Sequence, residues 1–560
     1  MTTALAKLRS LPIISLWRGD PWAVLTLVTA LIVLTPILTI CAYLLAPASE
    51  NWDHLAETVL PLYVSNSLVL MLGVTIGAGT IGTATAWLTS MYRFPGRRFL
   101  TWALLLPLAM PAYIIAYTYT GILDVSGPVQ EWIRQTFDLS YGEYWFPEVR
   151  SLSGAIIMFS LVLYPYVYML ARASFLSQSV CVLEVSRTLG CTSWMCFSKV
   201  AMPLARPAIV AGLSLALMET LADFGTVQYF GISTFTTGIF RTWFGLYDAT
   251  AASQLSAILM MFVFVLIVIE QWSRRRSRYH HTTDRYKRIP EGKLSATGEK
   301  FALLVCALPL LLGFVIPVFQ LGIWSVETFE AMVDSSFFRL AINSFTLAAS
   351  AAVVALLFAL ILGYGNRISS SPIVFGATRL AGMGYAIPGT VIAVGILIPF
   401  GAIDNWINRW LGAYGVSPGL FFSGTIFILI FAYTVRFLAI SQQSVEAGLG
   451  KVKPSMDDAA RSMGESRMQV LRRVHLPVMK GSLLTALVIV FVDVLKELPA
   501  TLILRPFDFN TLAVRAYELA SDERLADSST AALAIVLVGI VPVILLSTAI
   551  SNSRAGSRKQ

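Results

Sequence analysis

The chain has 560 residues, of which 56% are hydrophobic and 13% charged, with a mean hydropathy of +0.71. A water-soluble chain of this length needs roughly a quarter of its residues charged to cover its surface, so a soluble enzyme, a disordered chain, a fibre and a nucleic-acid-binding arm are excluded and a polytopic membrane protein is expected. The net charge of +9 then asks on which side of the bilayer the cations lie.

Lys7 and Arg9 precede an apolar run that ends at Ala46-Pro47-Ala48, in the outline of a signal peptide. That run, about 25 residues, exceeds the 7–15 of an h-region and reads as an uncleaved first span. Apolar stretches of about 20 residues, enough for a 30 Å hydrocarbon core, follow near 64–89, 99–121, 152–172, 206–230 and 252–271, and again near 301–325, 340–365, 375–401, 420–440, 480–504 and 529–551. The count is twelve. With the N-terminus cytoplasmic, about 32 of the 41 Lys and Arg residues fall inside, which is the positive-inside bias, and both termini are expected in the cytoplasm. The loop Leu123–Arg150, carrying Asp124, Glu131, Asp138, Glu143 and Glu148, then lies outside, as do Glu327, Glu330 and Asp334. The basic run Ser273–Arg288 reads as a solvated cytoplasmic linker. Five cysteines form no disulfide framework, and His54, His280, His281 and His475 have no ligand spacing, so no metal site is assigned.

The second half repeats the first. Asn66-Ser67 recurs as Asn343-Ser344 and Met110-Pro111 as Ile387-Pro388, both at an offset of 277. Two loops match at an offset of 274: Glu184, Gly190 and Pro203 in one, Asp458, Gly464 and Pro477 in the other, with Ala459 and Ala460 following the second acid. Residues 1–272 and 301–560 therefore form two six-span halves in the same orientation, joined by a linker at 273–300. In the second loop Ser455 and Asp458 resemble a capping box, Asp458 to Met463 should be helical, and Gly464 suits the left-handed position that ends a helix. A connection needs only a few residues, so a structured loop made twice implies a docking surface.

Ionisable groups within spans are functional candidates. Glu219 and Asp223 in the fifth span, and Asp493 and Glu497 in the eleventh, stand at i and i+4 and so are expected on one helical face. Such hard oxygen donors suit a trivalent cation or a polyamine and disfavour an oxyanion. They also suit an outer rim, as solvated or ion-paired groups, with Lys496 lying beside Glu497. Gly77-Ala78-Gly79-Thr80-Ile81-Gly82 fits a nucleotide-loop pattern but lies inside a span, where helix packing is the reading. Gly448-Leu449-Gly450-Lys451 lacks the residues of a phosphate-binding loop, so ATP would have to be bound by another chain.

The repeated loop resembles the EAA signature of the membrane subunits of binding-protein-dependent ABC importers. The second copy, Asp458-Ala459-Ala460 with Gly464 and Leu476-Pro477, is close; the first, Glu184-Val185-Ser186 with Gly190 and Met202-Pro203, departs more. A single chain with two copies is similar to the fused permeases of ferric-iron importers, with thiamine permeases as near relatives. The stretches from Leu221 and Thr234 look most like the ferric-iron group. The resemblance implies an all-α type I importer permease, a non-enzymatic inner-membrane subunit whose loops dock two copies of a cytoplasmic ATPase carrying ATP and Mg, fed by a periplasmic binding protein. A thiamine or polyamine permease and a twelve-span ion-coupled carrier are the alternatives.

Overall fold

The computed structural model describes residues 21–177, 190, 192–275, 292–369, 371–415 and 419–552. Among these the chain is almost wholly helical; the only strand pairing is a two-residue parallel bridge, Tyr92–Arg93 with Gly292–Lys293. Among the described residues eleven helices are long and apolar enough to cross a membrane, and the bent pair Arg97–Ala109 and Ala112–Phe137, with axes at 93°, makes a twelfth if it is one span. Helices dominate because a backbone in hydrocarbon must satisfy its own polar groups.

Four of the expected spans are broken, at corresponding places in each half. The third ends at Met110-Pro111 and its repeat at Ile387-Pro388, where both prolines are extended (ψ 142° in each) and start the next helix. The cause is local: proline bars the preceding residue from helical backbone, and Met110 and Ile387 have ψ of 112° and 129°. The fifth ends at Ala222 and its repeat at Leu495, each followed by a short helix, Gly225–Tyr229 and Pro499–Leu504.

Proline also explains a second irregularity. The π-helical turns among the described residues lie at Leu55–Val59, Phe197–Ala201, Leu311–Val315 and Leu471–His475, and each is followed two residues later by Pro61, Pro203, Pro317 or Pro477. A proline ring collides with the carbonyl four residues back. In all four cases the residue before the proline instead donates to the carbonyl five back, as Leu476 does to Leu471, which widens the turn.

The helices group into two compact units, and neither is one sequence half. Unit 1 is Met1–Pro47 with Leu340–Thr511; unit 2 is Ala48–Arg339 with Leu512–Gln560. The first helix, Pro21–Tyr43, thus belongs with second-half helices, and packs on Gly389–Gly412 and Pro372–Ala381. Its fit needs a glycine: a Cβ on Gly395 would stand 2.6 Å from the Pro36 carbonyl. In unit 2 the helix Ile316–Met332 packs on Leu525–Asn552. The glycine-rich run is a packing stripe, since Cβ atoms on Gly77 and Gly82 would strike Ser160 and Val167 of the helix Leu152–Ser177 at 2.2 and 2.7 Å.

The repeat extends to single hydrogen bonds. Asn66 Nδ2 donates to the Ser233 carbonyl at 2.9 Å in unit 2, and Asn343 Nδ2 donates to the Asn510 carbonyl at 3.2 Å in unit 1. Both donor and acceptor are displaced by 277 residues, and the serines beside them, Ser67 and Ser344, are buried alike.

Candidate coupling loops and translocation site

The second repeated loop is a helix, a left-handed glycine and a second helix. Pro454–Ser462 begins with proline in its first turn after Lys453, not at a Ser455 capping box. Proline wins that position because its missing N–H costs nothing there. The capping box lies further on, at the start of Arg467–Val470, where Ser466 and Gln469 satisfy each other's backbone N–H groups. Gly464 stands at φ +84°, and the N–H groups of Gly464 and Glu465 close onto the carbonyls of Arg461 and Ala460 at 2.9 and 3.2 Å. This is a Schellman ending, which requires a left-handed residue after the cap. Gly190 has the same φ of +84°. Glu184 lies outside the described residues. Pro203 and Pro477 each open a long helix after a π-turn.

The chemistry of this loop's surface is set by the helix face. Asp458 and Ala459 are exposed while Ala460 is buried, and Met456, Met463 and Met468 also stand in the open, Met463 at 77%. Flexible thioether side chains beside small residues make an adaptable apolar surface. Behind it, Asp457, which the sequence reading passed over for its neighbour Asp458, pairs with Arg367 at 2.9 Å and His475 at 2.7 Å. Spacing could not reveal this pairing, because its partners lie 90 and 18 residues away.

The carboxylate pairs do not share one helical face. The helix ends at Ala222, and Asp223 turns forward to cap the next one: its Oδ1 accepts from the N–H groups of Thr226 and Val227 at 2.9 and 3.3 Å, and its Oδ2 from the Thr226 hydroxyl at 3.1 Å. Glu497 repeats the arrangement in unit 1, accepting from Ala500 and Thr501 N–H at 3.0 and 3.2 Å and from the Thr501 hydroxyl at 3.0 Å. A carboxylate at a helix N-terminus answers both the orphan donors and the dipole. Glu219 and Asp493 stay on their helices, half-buried.

Lys496 pairs with Asp493 at 2.8 Å. Glu497 faces Arg436 of the helix Ile426–Leu449, with Nη1 3.9 Å from Oε1 and side chains 9% and 2% exposed. The two meet over Gly389, where a Cβ would lie 2.6 Å from the carboxylate and 2.7 Å from the guanidinium. Arg436 was legible as the one cation inside the apolar run 420–440, but a search for carboxylates alone missed it.

The acidic loop is structured. Tyr144 donates to Gln130 at 2.7 Å, and Gln130 to the Leu123 carbonyl at 2.8 Å. A cavity of about 590 Å³ lies beside it, with Asp124, Tyr141, Glu148, Arg150 and Glu523 in its wall. Arg150 forks onto Glu523 with two bonds of 2.8 Å, and its guanidinium holds the Glu523 carboxyl below the usual carboxylate range. The basic linker from 276 to 288 lies outside the described residues.

Comparison with known proteins agrees with this double architecture. The family described as binding-protein-dependent transport system inner membrane component matches twice, at residues 78–276 and 355–555. The chain is 28% identical over 492 residues to the Fe(3+)-transport system permease protein FbpB 2 of Haemophilus influenzae, covering 86% of this chain and 89% of that one. It is 25% identical to the ferric transport system permease protein FbpB of Actinobacillus pleuropneumoniae, covering 81% and 66%. The sulfate transport system permease protein CysT of Escherichia coli is 28% identical over 207 residues, 35% of this chain and 72% of that one. With two matches that together span most of its helices, the chain belongs to the family of inner-membrane components of binding-protein-dependent transport systems.

Proposed function

We propose that this permease imports ferric iron, delivered by a periplasmic binding protein and driven by two copies of a cytoplasmic ATPase that carry the ATP and Mg. The observation that carries the ATPase-docking part is the matched pair of left-handed glycines, Gly190 and Gly464, each ahead of a π-turn and a proline at the same spacing. Docking falls to the loops around Glu184, Gly190 and Pro203 and around Asp458, Ala459, Ala460, Gly464 and Pro477. ATP-driven closure of the ATPase pair would move both loops and favour one of two preformed states of the pathway. Ferric iron is favoured because the relatives named for it run along most of the chain, whereas the sulfate relative covers 35%. Both termini lie in the cytoplasm in this reading, on the strength of the positive-inside bias.

The pathway is proposed to involve Glu219, Asp223, Asp493 and Glu497. Asp223 and Glu497 fix the breaks in their spans, and Glu219 and Asp493 stand on the helices that end there. The deciding experiment is uptake of radiolabelled iron into proteoliposomes holding this chain and its ATPase, with ferric-loaded binding protein outside. Iron should enter only with ATP. Entry of thiamine or putrescine instead would replace the solute, and iron entry on an ion gradient without ATP would make the chain a secondary carrier.

A further inference from the structure

The second loop is fastened to its spans by charged side chains. In unit 1, Arg367 at the end of the helix Ser335–Ile368 donates from Nε to Asp457 Oδ2 at 3.0 Å, from Nη1 to the Leu449 carbonyl at 2.6 Å and from Nη2 to the Val452 carbonyl at 2.8 Å. His475, fully buried in the π-turn, puts Nε2 2.7 Å from Asp457 Oδ1. Tyr364, one turn before Arg367, donates to the Arg467 carbonyl at 2.6 Å and stands edge-on to the His475 ring, centroids 5.3 Å apart. One guanidinium and one carboxylate therefore tie together the end of a long span, the end of the preceding helix, the exposed loop helix and the turn that opens the next span.

The repeat offsets place Trp87 opposite Tyr364, Ser90 opposite Arg367 and Ala201 opposite His475. None of the three can carry a charge. Trp87 packs on Phe197 and Phe175 with centroids 5.0 and 5.3 Å apart, and Phe197 packs on Trp194 at 5.4 Å. A forked guanidinium on a carboxylate and two carbonyls has one geometry and is either made or broken.

We infer that Arg367, Asp457 and His475 form a charge clamp that passes movement of the loop helix Pro454–Ser462 into the spans of unit 1. The inference rests on the docking role proposed for these loops. Arg367 and Asp457 act through the loop they hold and touch no solute; they are positioning residues.

The test uses the full chain reconstituted with its ATPase and binding protein, and reads three quantities: ATPase retained on purification, ATP hydrolysed, and solute taken up per ATP. In Arg367→Gln and Asp457→Asn the ATPase should be retained as in the wild type and hydrolysis should continue, while uptake per ATP falls about fivefold or more. Arg367→Lys keeps the charge without the fork and should recover part of that loss. Trp87→Phe, on the aromatic side, should leave the ratio within about twofold of wild type. An unchanged ratio in Arg367→Gln and Asp457→Asn, including one kept by a proportional loss of hydrolysis and uptake, overturns the clamp, since a merely structural role lowers both together. Failure of the wild-type chain to retain any ATPase overturns the docking reading itself, and the clamp with it.

Discussion

At the scale of single residues, the left-handed glycines separate conformation from contact. A Cβ on Gly464 would meet nothing within 4 Å, so only its φ of +84° demands glycine within this chain. A β-branched residue there costs about 1–2 kcal/mol of backbone strain, whereas asparagine tolerates the conformation. Gly464→Val is expected to abolish uptake with the protein still in the membrane, and Gly464→Asn to keep most of it. If asparagine fails as badly as valine, the open space at Gly464 is filled by a partner. Glu497 admits a second separation: Glu497→Ala removes a helix cap and strands the buried Arg436, costing about 3 kcal/mol, while Glu497→Gln keeps the acceptor oxygen. Thermal aggregation of the purified chain should begin well below wild type in the alanine variant, and Glu497→Gln with Arg436→Met should restore it; equal stability of all of them would deny the pair any role. These residues differ in how legible they were. Gly464 and Pro477 act on their own backbone, so spacing exposed them. Asp457 and Arg436 take their meaning from residues far along the chain, and no local pattern marks Asp457 above Asp458.

At the scale of elements, apolar runs located the spans, because length and hydropathy decide insertion. They could not show where a span breaks, since a break is decided by one proline or one capping carboxylate that leaves average hydropathy nearly unchanged. The breaks at Pro111 and Pro388 were in view as a repeated motif, yet a repeat in sequence does not say that the helix stops there. The π-turns carry a further consequence. A π-turn inserts one residue into the helix and so rotates everything before it by about 100° relative to the span that follows. Pro477 thus fixes which face of the loop helix is presented. Pro477→Ala lets the turn relax toward ordinary i to i−4 bonding, and uptake is expected to fall severalfold with the amount of protein in the membrane unchanged. Undiminished uptake would mean that the buried Leu471 and His475 hold the turn open without the proline.

At the scale of the molecule, the duplication was readable from the offsets of 277 and 274, and it reaches individual hydrogen bonds such as those of Asn66 and Asn343. The exchange of helices between halves was not readable, because nothing in the composition of Pro21–Tyr43 says which neighbours it will meet; small groups such as Gly395, against the Pro36 carbonyl, make the fit. The exchange makes a prediction about severed chains. Residues 1–290 alone would leave the helix Pro21–Tyr43 without the second-half helices it packs on, and would leave unit 2 without Ile316–Met332 and Leu525–Asn552. Apolar faces left bare in this way cost stability in proportion to the packing they lose. Each fragment expressed alone is therefore expected to be degraded, while the two fragments expressed together should accumulate and support uptake within a few-fold of the intact chain. A stable first fragment on its own, measured by its half-life in the membrane, would mean that each sequence half closes its own core and that the exchange is dispensable.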